Sequence, residues 1–114
     1  MPYLKLHTSQ TIEAQAESKI LTALSQGVAE ILGKSENYVM IALESGKPMR
    51  FAGDSAPCAY VELKSLGLPE DQTSRFSSSL CRLIEAETGV SQARIYIEFA
   101  SPARQMWGWN GQTF

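Results

Sequence analysis

Polar and apolar positions alternate over Pro2-Tyr3-Leu4-Lys5-Leu6-His7-Thr8 and again over Tyr60-Val61-Glu62-Leu63-Lys64-Ser65. This is the period-two pattern of strands buried on one face. Aligned on their tyrosines, the two segments repeat aromatic, aliphatic and polar character position by position. Ile20, Leu24, Val28, Ile31 and Leu32 then recur at helical spacing, and Phe76, Leu80, Leu83 and Ile84 do the same, each set forming the apolar stripe of an amphipathic helix. Gly33-Lys34-Ser35 and Gly89-Val90-Ser91 follow at nearly the same offset. Each glycine suits the left-handed residue that closes a helix. Pro69 before Glu70 and Asp71 suits the second helix start, through its fixed φ and through charges that complement the helix dipole. Val39 and Ile41 correspond to Ile95 and Ile97 as the returning strand of each half.

The chain therefore reads as one domain, 1–114, in which a strand-helix-strand unit is used twice, over about 2–45 and 57–100. A parallel return through a helix crosses over right-handedly. Two such units merge into an α/β (α+β) fold, a four-stranded mixed sheet with both helices on one face. The other face would carry large apolar groups, which a small domain buries most economically against copies of itself. A homo-oligomer is expected. Lys47-Pro48-Met49-Arg50-Phe51-Ala52-Gly53 reads as an irregular connector that includes a short edge strand. The tail, 106–114, holds Trp107, Trp109 and Phe114 around the turn-forming Asn110-Gly111. It predicts an aromatic hairpin docked on a pocket or completing the core.

Composition narrows the functional classes. A hydrophobic content of 44% over 114 residues suits a single soluble globular domain. No apolar run reaches the roughly 18 residues needed to span a bilayer, and no signal-peptide pattern opens the chain. Cytoplasmic residence is the default expectation, with secretion lacking a signal peptide also open. A net charge of −2, with lysine and arginine scattered, provides no basic face for nucleic acid. Cys58 and Cys81 form no C-x-x-C pair and read as core thiols, and His7 is the only histidine. A histidine-based zinc site or a Ser-His or Cys-His couple is thus unsupported.

Pro2 is different. Removal of the initiator methionine, common before a small residue, would leave its nitrogen as a secondary amine. An α-amino group has a pKa of roughly 7.7–8.0, which burial lowers further. A neutral amine near pH 7 is a suitable general base.

Taken together and in order, several stretches resemble the macrophage migration inhibitory factor branch of the tautomerase superfamily over essentially the whole chain. They are Pro2, Leu32-Gly33-Lys34 with Tyr38 following, Ser55-Ala56-Pro57-Cys58-Ala59, Ser65-Leu66-Gly67, Arg94-Ile95-Tyr96-Ile97, and the ending Gly108 to Phe114. The resemblance implies a homotrimer with sites at subunit boundaries and keto-enol tautomerisation of phenylpyruvate-like 2-oxo acids without a cofactor or metal. Pro2 would then be the acid-base group. Lys34 would hold the substrate carboxylate, and Leu66, Tyr3, Tyr38, Trp109 and Phe114 would line the apolar pocket. Tyr96 would come from the neighbouring subunit.

Glu98 stands where many members carry a substrate-contacting asparagine. A carboxylate there would repel an anionic substrate and favour protonated Pro2, with Lys64 a candidate to offset it. Trp107 replaces a smaller aliphatic residue and would narrow the pocket mouth. No second cysteine follows Cys58, so the thiol-disulfide motif of the vertebrate cytokine is missing. Three readings stand: a tautomerase, a cytokine-like or host-modulating signalling protein, and a catalytically silent oligomer or ferredoxin-like binding module. Ser9-Gln10-Thr11-Ile12-Glu13 lacks the arginine that the vertebrate cytokine displays nearby, which weighs against signalling.

Overall fold

A computed structural model describes residues 1–114. In chain order it comprises β1 (Tyr3–Thr8), α1 (Ala14–Leu32), β2 (Met40–Glu44), β3 (Ala59–Lys64), α2 (Thr73–Thr88), β4 (Ile95–Ala100), β5 (Gly108–Trp109) and β6 (Gln112–Thr113). Single 3₁₀ turns precede β2, α2, β4 and β5.

The helices form where the apolar stripes predict them. Ile20, Leu24 and Val28 of α1, and Phe76, Leu80 and Ile84 of α2, are all buried against the sheet. Gly33 closes α1 with φ 65°, and the Lys34 amide turns back to the Ala29 carbonyl at 2.9 Å. That closing turn delivers Lys34 to the end of the sheet where β1 begins. At the other predicted boundary, Pro69 opens a 3₁₀ turn over Glu70–Gln72, and α2 starts only at Thr73. The Thr73 hydroxyl, bonded to the Glu70 carbonyl at 2.9 Å, holds that tighter turn. Between the helices, Gly27 sits where any side chain would collide with Leu83. The glycine gives up about 1 kcal/mol of helix propensity relative to alanine to allow this approach.

The sheet has the order β2-β1-β3-β4. β1 and β2 are parallel, β3 and β4 are parallel, and the two units meet along an antiparallel β1–β3 seam. Each half is thus a β-α-β unit, as the repeat predicts. Leu4, Leu6, Val61, Leu63 and Ile95 point into the core beneath the helices.

The opposite face carries large apolar groups among charged ones. Alternation sends most aliphatic residues inward, and the outward positions divide between polar residues, Lys5, His7, Glu44, Glu62, Lys64 and Glu98, and apolar ones, Tyr3, Met40, Tyr60 and Tyr96 with Ala42 and Ala100. Glu44 is bracketed by Lys47 at 2.7 Å and Lys5 at 3.2 Å. Only Met40 and Tyr96, each more than half exposed, leave substantial apolar surface on this face.

The connector from β2 to β3 contains one isolated bridge, Phe51 to Asp54, around Ala52 and Gly53 at positive φ. Arg94 fastens it to the start of β4. Its guanidinium donates to the carbonyls of Phe51, Ala56 and Pro57 at 3.0–3.1 Å and pairs with Asp54 at 2.9 Å.

No helix is long and apolar enough to cross a membrane.

Candidate active site

Pro2 is wholly buried at the head of β1. Its carbonyl accepts the Met40 amide at 3.0 Å, and Tyr3 directly after it pairs with Met40 on one side and Lys64 on the other. Proline lacks an amide hydrogen and has a fixed φ, so it costs nothing as the first residue of a strand. With Met1 in place the Pro2 nitrogen is a tertiary amide, and the free amine is that of half-buried Met1. Burial, and secondarily the positive charge of Lys34, push this amine below its ordinary value of 8.0. Both effects disfavour the cationic form, so the site favours a neutral amine.

Met1 and Pro2 open into a cavity of about 810 Å³. One wall comes from the first unit, where Asn37 to Met40 lead from the 3₁₀ turn into β2. The facing wall comes from the C-terminal segment, where Pro102, Met106 and Trp107 approach the rim and Trp109 projects from β5. Tyr3 and Lys64 complete the lining. No aspartate or glutamate is among these residues.

The tail forms the expected hairpin. Asn110 and Gly111 have φ of 52° and 78°, the two positive values that a tight two-residue hairpin turn demands. Trp109 then meets Tyr38 edge-on, with centroids 5.8 Å apart, and stacks on Phe114 at 5.9 Å. Phe114 therefore backs the wall behind Trp109 and is not itself part of the lining.

Lys34 and Leu66 come together behind the amine. The Lys34 ammonium donates to the Leu66 carbonyl at 2.9 Å, and Leu66 is buried. Neither lines the cavity within a single chain, although the charge of Lys34 reaches the N-terminal amine.

Tyr96 and Glu98 lie apart from this cluster. Both belong to β4, an edge strand separated from β1 by β3, so roughly 10 Å of sheet lies between them and Pro2's strand. Tyr96 is 63% exposed and packs edge-on against Phe51. Glu98 accepts a hydrogen bond from the Tyr60 hydroxyl, whose pKa is raised by that bond, by burial and by the neighbouring carboxylates. Lys64 forms no ion pair with Glu98. In the β3–β4 register Lys64 faces Ala100, and Glu98 faces Glu62. Trp107 lies at the rim as its position predicts, half-buried and directly against the cavity.

Sequence pattern alone passes over Asn37, Val39, Met40, Pro102 and Met106, which lie in turns or at strand ends. No periodic signal marks a loop residue as pocket-lining. For Met40 a signal exists, since pairing the two predicted strands of the first unit places it beside Tyr3. No three histidine, cysteine, aspartate or glutamate side chains converge where they could hold a metal ion.

The family model described as macrophage migration inhibitory factor matches residues 1–114. A macrophage migration inhibitory factor homologue from Brugia malayi is 35% identical, covering 100% of this chain and 99% of its own. The macrophage migration inhibitory factor of Rattus norvegicus is 31% identical over 100% and 99%. Among solved structures, the homologue from Prochlorococcus marinus superposes with a TM-score of 0.90 at 42% identity, covering 98% of each chain. The protein from Trichinella spiralis gives 0.89 at 29%, covering 98% of this chain and 99% of its own.

Proposed function

The chain belongs to the macrophage migration inhibitory factor family, and from that premise we propose that it is a keto-enol tautomerase acting on phenylpyruvate-like 2-oxo acids. The observation that carries this reading is the N-terminus itself. Pro2 is buried at the base of an aromatic-walled cavity, beside an amine whose pKa is lowered by burial and by Lys34.

Removal of Met1 would turn the Pro2 nitrogen into a secondary amine in that same environment. In the keto-to-enol direction the neutral amine takes a proton from the carbon next to the ketone, and the electron pair moves onto the carbonyl oxygen. The resulting ammonium then gives a proton to that oxygen. The reverse direction runs the same transfers backwards, so one group serves as base and then as acid. Lys34 would attract the substrate carboxylate while holding the amine neutral. Tyr3, Tyr38 and Trp109 would receive the apolar substituent, with Leu66 closing the rear and Phe114 bracing Trp109.

The placement of Tyr96 and Glu98 fits a homotrimer in which the edge strand β4 presents them to a neighbouring copy. The exposed Tyr96 ring and the distance from β4 to Pro2 support that arrangement.

The test is an enol-to-keto assay joined to an intact mass. Protein lacking Met1 should turn over a phenylpyruvate enol, and Pro2→Gly should lower kcat by about 10²–10⁴-fold, the usual worth of a positioned acid-base group, with the oligomer mass unchanged. Equal rates for Pro2→Gly and the parent protein would overturn the assignment.

A further inference from the structure

The cavity carries a cation with no partner. Lys64 lines it, opposite Tyr3 in the β1–β3 register, and its ammonium has no hydrogen-bond or ion-pair partner, while the wall that one chain supplies contains no carboxylate. Other lysines near the sheet are engaged: Lys5 and Lys47 with Glu44, and Lys34 with the Leu66 carbonyl. Lys34 and Lys64 also approach the N-terminus from different sides. Lys34 follows the helix that covers the inner sheet face, whereas Lys64 stands on the outer face at the end of β3.

We propose that Lys64 is a specificity residue that receives a second anionic group, so that the preferred substrate is a 2-oxo acid whose apolar substituent ends in a carboxylate. The proposal rests on the tautomerase reading above. One carboxylate, next to the ketone, goes to the Lys34 side of Pro2, and the other, beyond the substituent, goes to Lys64. A volume of about 810 Å³ falls in the range of pockets that enclose drug-sized ligands, so it holds an aryl ring together with such an extension. A carboxylate reaching Lys64 would meet a lysine that gives up no existing bond to receive it.

The experiment compares phenylpyruvate with para-carboxyphenylpyruvate on three proteins lacking Met1: the parent, Lys64→Met and Lys64→Arg. The parent should favour the dicarboxylate in kcat/KM by about tenfold or more, the yield of one charge-assisted hydrogen bond. Lys64→Met should erase that preference by raising KM for the dicarboxylate by at least about tenfold more than it raises KM for phenylpyruvate, with kcat for the dicarboxylate falling less than its KM rises. Lys64→Arg should retain it. Equal discrimination by the parent and Lys64→Met, or no discrimination by the parent, overturns the role of Lys64. Loss of turnover in Pro2→Gly with both substrates keeps that outcome separate from a failure of the tautomerase reading, which would instead show Pro2→Gly fully active.

Discussion

Replacing Trp109 by alanine tests whether the C-terminal hairpin is a separately docked wall of the cavity. The hairpin contains two residue pairs, Gly108 with Thr113 and Trp109 with Gln112, and a two-stranded ribbon of any length is marginal in water unless it packs on something. What it packs on is aromatic. Trp109 contacts Tyr38 edge-on and Phe114 face-on, and such pairs contribute about 0.5–1.5 kcal/mol each beyond area burial. Losing both should therefore weaken docking by about 1–3 kcal/mol, or roughly 5- to 150-fold in the opening equilibrium at 1.4 kcal/mol per decade. Trp109 is 53% exposed and lies outside the core cluster, so the sheet and helices should keep their stability. Native-state hydrogen exchange resolves the two effects. The Phe114 amide, bonded to the Trp107 carbonyl at 3.2 Å, should lose protection by that factor, while the β1 and β3 amides exchange as before. In the tautomerase assay KM should rise more than kcat falls, because a wall is lost and the base is not. Unchanged protection at Phe114, or an equal loss at Leu63 in the core, would refute the idea of a separately docked tail.

Arg94→Met should loosen the connector between β2 and β3 and cost about 1–3 kcal/mol in urea unfolding, since three carbonyls lose their donor. Asp54→Asn should cost less than about 1 kcal/mol, because Asp54 is exposed and its ion pair is largely solvated. Glu44 is held down to a pKa of about 2 by hydrogen bonds from Lys47 and then Lys5. Its folded-state pKa lies below the ordinary 4.5, so its contribution to stability is complete above that value and is lost as the pH falls through about 2. A carboxyl NMR titration should show this midpoint, and Lys47→Met should move it upward. Lys34→Met should raise the pKa of the Met1 amine by removing the second cause of its depression, and the same change is expected of the Pro2 amine that succeeds it once Met1 is removed. The acid limb of the pH–rate profile, where activity falls as the amine takes up its proton, should then move to higher pH. A profile that does not move would separate Lys34 from the amine.

The parts of the fold written as periodicity were legible in the sequence. Leu4, Leu6, Val61 and Leu63 alternate with polar residues, and they lie at the centre of the core. The helix stripes were equally plain, because burial of one face is what makes Ile20, Leu24 and Val28 recur. Gly33, Gly89 and Asn110-Gly111 were legible for a different reason, since positive φ selects few residue types. What escaped was pairing geometry. Whether Lys64 faces Glu98 directly depends on the β3–β4 register, and a shift of two residues would exchange Ala100 for Glu98 as its cross-strand partner. Met106 and Pro102 escaped because a residue in an irregular segment becomes part of a cavity only through the path of the whole chain.

Glu98 shows how the two kinds of information combine. Taken from the sequence, it is a carboxylate at a substrate-contacting position and a reason to expect a weakened enzyme. In the folded chain it is bonded to Tyr60 on the outer sheet face, and β3 stands between its strand and that of Pro2. No path within one chain brings its charge to the amine. Its bearing on catalysis therefore belongs wholly to the assembly, where the β4 edge of one copy would have to approach the cavity of another. A hydrogen bond to Tyr60 also disperses part of the carboxylate charge before any such approach. Within one chain the group bonded to Glu98 is the Tyr60 hydroxyl, so the full charge of Glu98 would reach a neighbouring cavity only if assembly removed it from Tyr60.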